Sequence, residues 1–286
     1  MTQAAMIIHT RTRLCDFPSA LAVCPSSLSS GDAQKVRKRI LAATRSIDIM
    51  GQNEVRRMIY TCGDLVVAGM VSFLKNFSDN NVDDEKFFYD EVGRGIYAFV
   101  GFVFQAKNQN TPLIDKKILW DNFKNYMEPV WEWKVLDTQS SNFAEIDFSS
   151  ADAKESISNE VVSDMTLYTT GATDAAIFSY WLGQALKGNS VSFCSNITDF
   201  KVVKDRTFNI ITTTTNIIER IKREVPSQHK DQSPPIHSTT ENTHYNKQKK
   251  NLIPNETSIA GKSFKNMWLI VGVVLIILVF MVLLLK

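Results

Sequence analysis

The sequence lacks the short motifs by which the common enzyme classes are recognised. It contains no GxGxxG, no P-loop, no HExxH and no GxSxG, so the phosphate loops, zinc ligands and nucleophile turns of those enzymes have no counterpart in it. Three of the four histidines, His229, His237 and His244, lie in a polar stretch near the C-terminus, where solvated linker residues are commoner than metal ligands. We therefore expect no enzyme, no metal site and no cofactor.

Cysteine is scarce and charge is nearly balanced. The four cysteines form no CxxC pair and have no metal-ligand spacing with histidine, which is typical of buried small side chains or inert thiols. The formal net charge of +2 gives no chain-wide field for nucleic acid, so we expect none as a partner. No period of about 20 to 50 residues recurs, which argues against a repeat solenoid.

A long hydrophobic run occurs at the C-terminus, and the N-terminus has no comparable segment. Residues Met267–Leu285 contain no charge, and a helix of this length, at about 1.5 Å per residue, crosses most of a hydrocarbon layer of roughly 30 Å. His9, Arg11 and Arg13 interrupt the short apolar patch near the N-terminus, so no secretory signal is predicted. Several lysines precede the C-terminal run, whereas only Lys286 follows it. We expect a tail-anchored, single-pass membrane protein whose body faces the cytosol.

The chain before this run divides into a folded body and a tether. Residues 1–28 are a mixed N-terminal segment, and residues 29–225 carry the helical patterns of a globular domain. Within that domain residues 137–164 are rich in Asp, Glu and Ser, which predicts a solvated acidic insertion. Residues 226–266 are polar and contain proline, as expected of a flexible tether to an anchor at 267–285.

The body contains a series of stretches with the spacing of amphipathic or buried helices. The stretch after Arg94 is apolar on nearly every side, which is expected of a central helix buried by its neighbours. The pattern predicts an all-α globular bundle around this hydrophobic helix, with one C-terminal transmembrane helix. The last stretch is ambiguous between strand and helix, and we favour helix. The predicted helices cover residues 33–50, 54–77, 92–104, 114–127, 173–188 and 208–225.

The second predicted helix carries four apolar anchors with a glycine and an aspartate between the last two. This spacing resembles the third homology motif of the B-cell-lymphoma family of apoptosis regulators. In that family such a helix is the death ligand, which lies in a hydrophobic groove of a partner. The resemblance implies that the same stretch of this chain is a ligand-like helix. Its residues are Val55, Ile59, Cys62, Gly63, Asp64 and Val66.

The third predicted helix begins with Glu91-Val92-Gly93-Arg94, which resembles the family's first homology motif, Asn-Trp-Gly-Arg followed by an apolar helix. The resemblance implies that Arg94 pairs with the aspartate of a bound ligand helix and that Gly93 lets the two backbones approach. Glu91 and Val92 depart from the family's Asn and Trp, and Glu91 competes for Arg94. The expected ligand-helix binding residues are Gly93, Arg94, Ile96, Tyr97 and Phe99.

The family's second homology motif has two candidates in this sequence. One is Gly171–Asp174 with the aromatic residues Phe178, Tyr180 and Trp181, and the other is the segment around Trp131 and Trp133. Neither is specific, because aromatic residues are more often used in core packing. Both candidates stay open. The resemblance also implies that the first predicted helix fills the role of the family's fourth homology motif.

The chain resembles a divergent member of this family, and a viral origin is one of the possibilities. The resemblance implies a regulator that binds amphipathic helices of pro-apoptotic proteins. It would restrain permeabilisation of the mitochondrial outer membrane. Three alternatives stay open: a pro-apoptotic role, location in the endoplasmic reticulum membrane, and formation of homo- or hetero-dimers. Its partners would be such helices and the lipid membrane. The alternative is a tail-anchored adaptor or viral envelope protein with a helical cytosolic body and no groove function.

Overall fold

The computed structural model describes residues 1–45, 54–79, 82–107, 110–151 and 157–224. All of them belong to one unit, Met1–Lys230. They form a mixed α/β fold with one large sheet, so the prediction of an all-α bundle is wrong. The predicted tether and the Met267–Leu285 span lie outside the described residues. Within these ranges, every helix is too short or too polar to cross a membrane.

The described chain contributes eleven strands to the sheet and five α-helices to its two faces. The strands are β1 (Thr2–Thr10), β2 (Val23–Pro25), β3 (Arg56–Cys62), β4 (Leu65–Phe73), β5 (Tyr97–Gln105), β6 (Gln139–Ser141), β7 (Ala144–Ile146), β8 (Glu160–Val162), β9 (Met165–Thr169), β10 (Ser192–Ile197) and β11 (Ile210–Thr213). The helices are α1 (Ser30–Ala43), α2 (Lys116–Met127), α3 (Asp174–Leu186), α4 (Phe200–Lys204) and α5 (Thr215–Glu224).

The strand order is β6-β2-β1-β5-β4-β3-β10-β11-β9-β8, and β7 pairs with β1. The centre, β1, β5, β4 and β3, is antiparallel, whereas β10, β11 and β9 run parallel to one another. Helices α2 and α3 pack on one face, and α1, α4 and α5 pack on the other. Because both faces are covered, the central strands are buried on both sides.

The apolar run predicted as the central helix is strand β5. Ala98, Val100 and Phe102 belong to the core under α2 and α3, whereas Phe99 and Val103 belong to the core under α1. A strand that is buried on both faces is apolar at nearly every position, so periodicity does not separate it from a buried helix. The β-branched and aromatic composition of the run was the local signal for a strand.

The stretch predicted as a ligand-like helix is the hairpin β3–β4. Cys62 pairs with Leu65, which leaves Gly63 and Asp64 as a two-residue loop. Gly63 has a φ of +58°, and glycine at the first central position is what a type II′ hairpin turn requires. The glycine and aspartate that resembled a death-ligand motif are therefore turn residues. Ile59 and Val66 are buried in the sheet and Val55 packs against them.

The helices predicted at 33–50, 114–127 and 173–188 are helices in the structure, although α1 ends at Ala43. Helix α1 buries Val36, Ile40 and Ala43 as its spacing indicates, and Ser29 caps its N-terminus. Helices α2 and α3 fall within the stretches predicted for them. The ambiguous last stretch contains both forms, β11 followed by α5. The first 28 residues, predicted as a separate segment, supply β1 and β2.

Two glycines face each other where β4 and β5 pair, Gly69 opposite Gly101. A Cβ on Gly69 would lie 2.5 Å from Gly101 Cα and 2.9 Å from Cζ of Phe99, whose ring covers the pair. No side chain fits there without moving the backbone or this ring.

We expect Gly69→Ala to lower the free energy of unfolding by about 2 kcal/mol or more. The control is Gly31→Ala in the first turn of α1, where nothing lies within 4 Å of the added Cβ, and a change of less than about 1 kcal/mol is expected. Urea denaturation measures both. Equal effects of the two substitutions would show that Gly69 is not a tight contact.

His9 lies buried on β1, 1% exposed, with its ring 5.3 Å from that of Phe17. Neither ring nitrogen makes a hydrogen bond of ordinary geometry, although the Ala20 backbone lies close enough to favour the protonated form slightly. Burial, and secondly the charge of Arg37, lower the pKa of His9 from 6.5 to about 4. The folded domain therefore holds this imidazole neutral.

Because the folded pKa lies below the unfolded one, His9 stabilises the fold fully above the unfolded pKa, and this contribution falls as the pH drops towards 4. Between about pH 7.5 and about pH 5 we expect a loss of about 2 kcal/mol, and we expect His9→Phe to remove most of it. Denaturation at both pH values measures the difference. An unchanged pH dependence in the variant would contradict this assignment.

Candidate functional site

The carboxyl ends of β9, β11 and β10 meet at one edge of the sheet, since these three strands are parallel neighbours. From β9 the chain passes to α3 on one face, whereas from the adjacent β11 it passes to α5 on the other face. In open α/β sheets, ligands bind in the crevice where neighbouring strands send the chain to opposite faces. This edge is therefore the place in the fold where a ligand is expected.

A row of polar residues crosses this edge on the face that α3 covers. Ser195 on β10 lies beside Arg57 on β3, and its Oγ accepts the Arg57 amide at 2.7 Å. Thr212 on β11 accepts the amide of Asn196 at 2.8 Å and donates to Thr170 Oγ1 at 3.4 Å. The row therefore links four adjacent strand ends.

The row ends at the first residue of α3. Thr170 Oγ1 donates to Asp174 Oδ2 at 2.9 Å, and the Gly171 amide donates to Oδ1 at 3.2 Å. The hydroxyl hydrogens of Thr212 and Thr170 are thus already used, and both oxygens of Asp174 are occupied. The N-cap residue, Thr173, makes no capping hydrogen bond with its side chain. The Asp174 amide donates to Gly171 O at 3.1 Å, so the first-turn amides that keep their donor capacity are those of Ala175 and Ala176.

Arg57 is the exceptional member of the row. Its side chain is half-buried, yet its guanidinium donates to no acceptor among the described residues. Burial lowers the pKa of Arg57, and the charge of Asp174 acts in the opposite sense. Ser195 is fully buried, and its hydroxyl hydrogen likewise has no acceptor in the described part of the chain. The free groups of this edge are therefore donors, which suits an anion.

The preceding residue, Arg56, has a structural role and serves as a comparison for Arg57. It lies on the opposite face of β3 and is 1% exposed, and four of its five N–H groups have acceptors. Nε donates to Asn196 O at 3.0 Å, Nη2 to Thr198 Oγ1 at 3.1 Å, and Nη1 to Ala43 O at 2.8 Å and to Arg45 O. Arg56 thus fastens the end of α1 to the end of β10.

The Gly93-Arg94 pair lies in a tight hairpin and not at the start of a helix. The Asp90 amide donates to Arg94 O and the Gly93 amide to Asp90 O, each at 3.0 Å. Gly93 has a φ of +82°, as in a turn closed by a left-handed glycine bulge. Arg94 Nε pairs with Asp90 Oδ2 at 2.7 Å, so its carboxylate partner within the chain is Asp90 and not Glu91.

The other residues expected in the groove are parts of the sheet core. Ile96 and Phe99 are fully buried on opposite faces of the sheet, and Tyr97 packs at the first position of β5. They cannot line one groove together. The aromatic candidates for a further motif are mostly packing residues: Trp131 Nε1 donates to Lys86 O at 2.9 Å, and Trp181 Nε1 to Tyr168 Oη at 3.1 Å.

Sequence reasoning did single out Gly171–Asp174, though for a different reason, and it missed Arg57, Ser195 and Thr212. The available signal was a short strand-like run followed by small polar residues and then a helix. The sequence shows this pattern at both β9 and β11. Arg57 carried no such signal, because its importance depends on strands that are distant in sequence.

Comparison with models of known protein families and with curated proteins found no match for this chain. In the part of the chain that the structure describes, no group of three or more His, Cys, Asp or Glu residues could hold a metal ion. The assignment of the site therefore rests on its geometry.

Adjacent positions on β3 allow a matched test of structure against function. Arg56→Met leaves the buried carbonyl groups of Ala43 and Asn196 without donors, and we expect it to cost about 3 kcal/mol of unfolding free energy. Arg57→Met removes a half-buried guanidinium that has no hydrogen-bond acceptor among the described residues, and we expect a change within about 0.5 kcal/mol or a gain. Urea denaturation of both variants decides the matter. A comparable loss for Arg57→Met would mean that Arg57 is structural too.

Proposed function

We propose that this domain binds a small molecule through an anionic group of phosphate type at the carboxyl edge of β10, β11 and β9. The anion would lie against the Arg57 guanidinium and the first turn of α3. The observation that carries the proposal is Arg57, a half-buried cation on β3 beside this edge, whose guanidinium has no acceptor among the described residues.

Electrostatics support an anion at this position. A guanidinium that is partly removed from water costs stability unless a charged acceptor contacts it. The N-terminus of α3 adds a partial positive charge. Asp174 offsets part of this potential, and each of its oxygens accepts one hydrogen bond from the Thr170–Gly171 loop. These hydrogen bonds reduce the repulsion between Asp174 and an incoming anion.

The number of donors favours phosphate over carboxylate. The guanidinium can give two parallel hydrogen bonds, and amides of the first turn of α3 can give further ones. A carboxylate has two oxygens, whereas a phosphate monoester has three, so the phosphate uses more of the available donors. The hydroxyls of Thr170 and Thr212 can still accept hydrogen bonds, so they suit a polar group of the ligand beyond the phosphate.

Binding, and not catalysis, is the function that these groups support. Among the described residues of the edge, Asp174 has its oxygens occupied and the two threonine hydroxyls donate towards it. Cys194 on β10 lies on the opposite face, and burial raises its pKa to about 12, so its thiol stays protonated. Membrane attachment through Met267–Leu285 stays a prediction from sequence and carries no part of this proposal.

The test is thermal unfolding of the full chain in inorganic phosphate, with acetate and chloride at matched ionic strength as references. A ligand at about 100 times its Kd stabilises the folded state by about 2.7 kcal/mol, which we expect to raise the Tm by several degrees. We expect Arg57→Met to lose this phosphate-specific increase. The control is Arg223→Met, which removes an exposed arginine of α5.

Phosphate also stabilises proteins weakly by exclusion from their surfaces, and this effect should be equal in all three chains. An equal increase of the Tm by phosphate in the wild type, Arg57→Met and Arg223→Met would therefore contradict the proposal.

A further inference from the structure

A second concave surface lies at the Tyr89–Gly95 hairpin, away from the row of residues around Arg57. It is a cleft of about 440 Å³, within the range of about 300 to 1,000 Å³ that small-molecule sites occupy. Its lining includes Phe73, Phe88, Tyr89, Gly93, Arg94 and Gly95.

Aromatic rings and bare backbone form much of the cleft wall. A Cβ on Gly95 would lie 3.1 Å from the Phe73 ring, so this ring packs directly on the glycine backbone. Tyr97 holds Phe73 from the other side, edge to face at 6.4 Å between ring centroids. Tyr89 is 51% exposed. Such a wall suits a flat apolar body, because no side chain projects from Gly93 or Gly95.

Arg94 is the charged group of the cleft, and Asp90 orients it. The buried carboxylate of Asp90 accepts the amides of Val92 at 3.1 Å and Arg94 at 2.8 Å, the Arg94 Nε at 2.7 Å, and forms an ion pair with Arg11 at 3.3 Å. Burial acts to raise the pKa of Asp90, but the hydrogen bonds from Arg94 and the charges of Arg11 and Arg94 outweigh it, so the pKa lies below its usual value. The carboxylate therefore stays ionised near neutral pH.

Within the guanidinium of Arg94, Nε is the nitrogen that takes part in this network. Its two terminal nitrogens meet no acceptor in the described residues, and the side chain is 65% exposed. A buried carboxylate thus fixes the guanidinium while its terminal nitrogens remain available for a paired contact. A neighbouring group that fixes a ligand-binding residue in this way lowers the entropy lost on binding.

We propose that this cleft binds a small ligand with a flat aromatic body and a carboxylate or phosphate group. The body lies between Phe73 and Tyr89, and the anionic group pairs with the terminal nitrogens of Arg94. Lys75 also lines the cleft. This site shares no residue with the proposed phosphate site at Arg57, so the two proposals stand or fall separately.

The probes are naphthoate and naphthamide, which have the same aromatic body and differ in charge. Titration of the full chain by isothermal calorimetry is expected to show naphthoate binding at least tenfold more tightly than naphthamide. Arg94→Gln should abolish this preference and leave the binding of naphthamide unchanged. Tyr89→Ala should weaken the binding of both. The matched control is Arg13→Gln, whose arginine pairs with Glu132 at 3.4 Å outside the cleft lining and should leave both affinities unchanged.

Equal affinity of the two probes for the wild type would overturn the proposal, as would failure of both to bind at millimolar concentration. An equal effect of Arg94→Gln and Arg13→Gln would also overturn it, because it would show a general effect of charge. A second naphthoate titration of Arg57→Met should match the wild type, which keeps this result distinct from the fate of the phosphate site.

Discussion

Burial of the central strands on both faces is the constraint on which the rest of this structure depends. Strand β5 packs under α2 and α3 on one side and under α1 on the other, so every residue from Ala98 to Phe104 is removed from water. The close contact of Gly69 with Gly101, covered by Phe99, lets β4 and β5 fit between the two helical layers. Without the two helical layers the apolar faces of these strands would be exposed to water.

The same double-sided sheet gives two neighbouring arginines opposite roles. Arg56 and Arg57 project to opposite faces of β3, because side chains alternate along a strand. Arg56 meets the carbonyl groups at the end of α1 and is satisfied by the protein. The Arg57 amide donates to Ser195 Oγ, and its guanidinium has no acceptor in the described part of the chain. Because the fold supplies acceptors for Arg56, the lack of an acceptor for the Arg57 guanidinium among the described residues is significant.

The sequence allowed the surface helices to be predicted, but neither the sheet nor the site. Helices α1, α2 and α3 have one apolar side and a clear end, such as the turn at Gly188, so their 3.6-residue period was visible. Strands β3 to β5 have no period because both faces are buried, and they were taken for helices. Gly63 and Gly93 were turn signals that happened to fit a helical family motif. Arg57 acquires its role only from β10, β11 and β9, which no local pattern reveals.

The most direct test of the central claim is NMR observation of the arginine side chains during titration with inorganic phosphate. The Nε–H signal of Arg57 should shift and saturate as phosphate is added, while that of Arg56, already bonded to Asn196 O, should stay in place. This pair of signals reports contact at the two faces of one strand. An unmoved Arg57 signal at saturating phosphate, or equal shifts of both signals, would contradict an anion site at this edge.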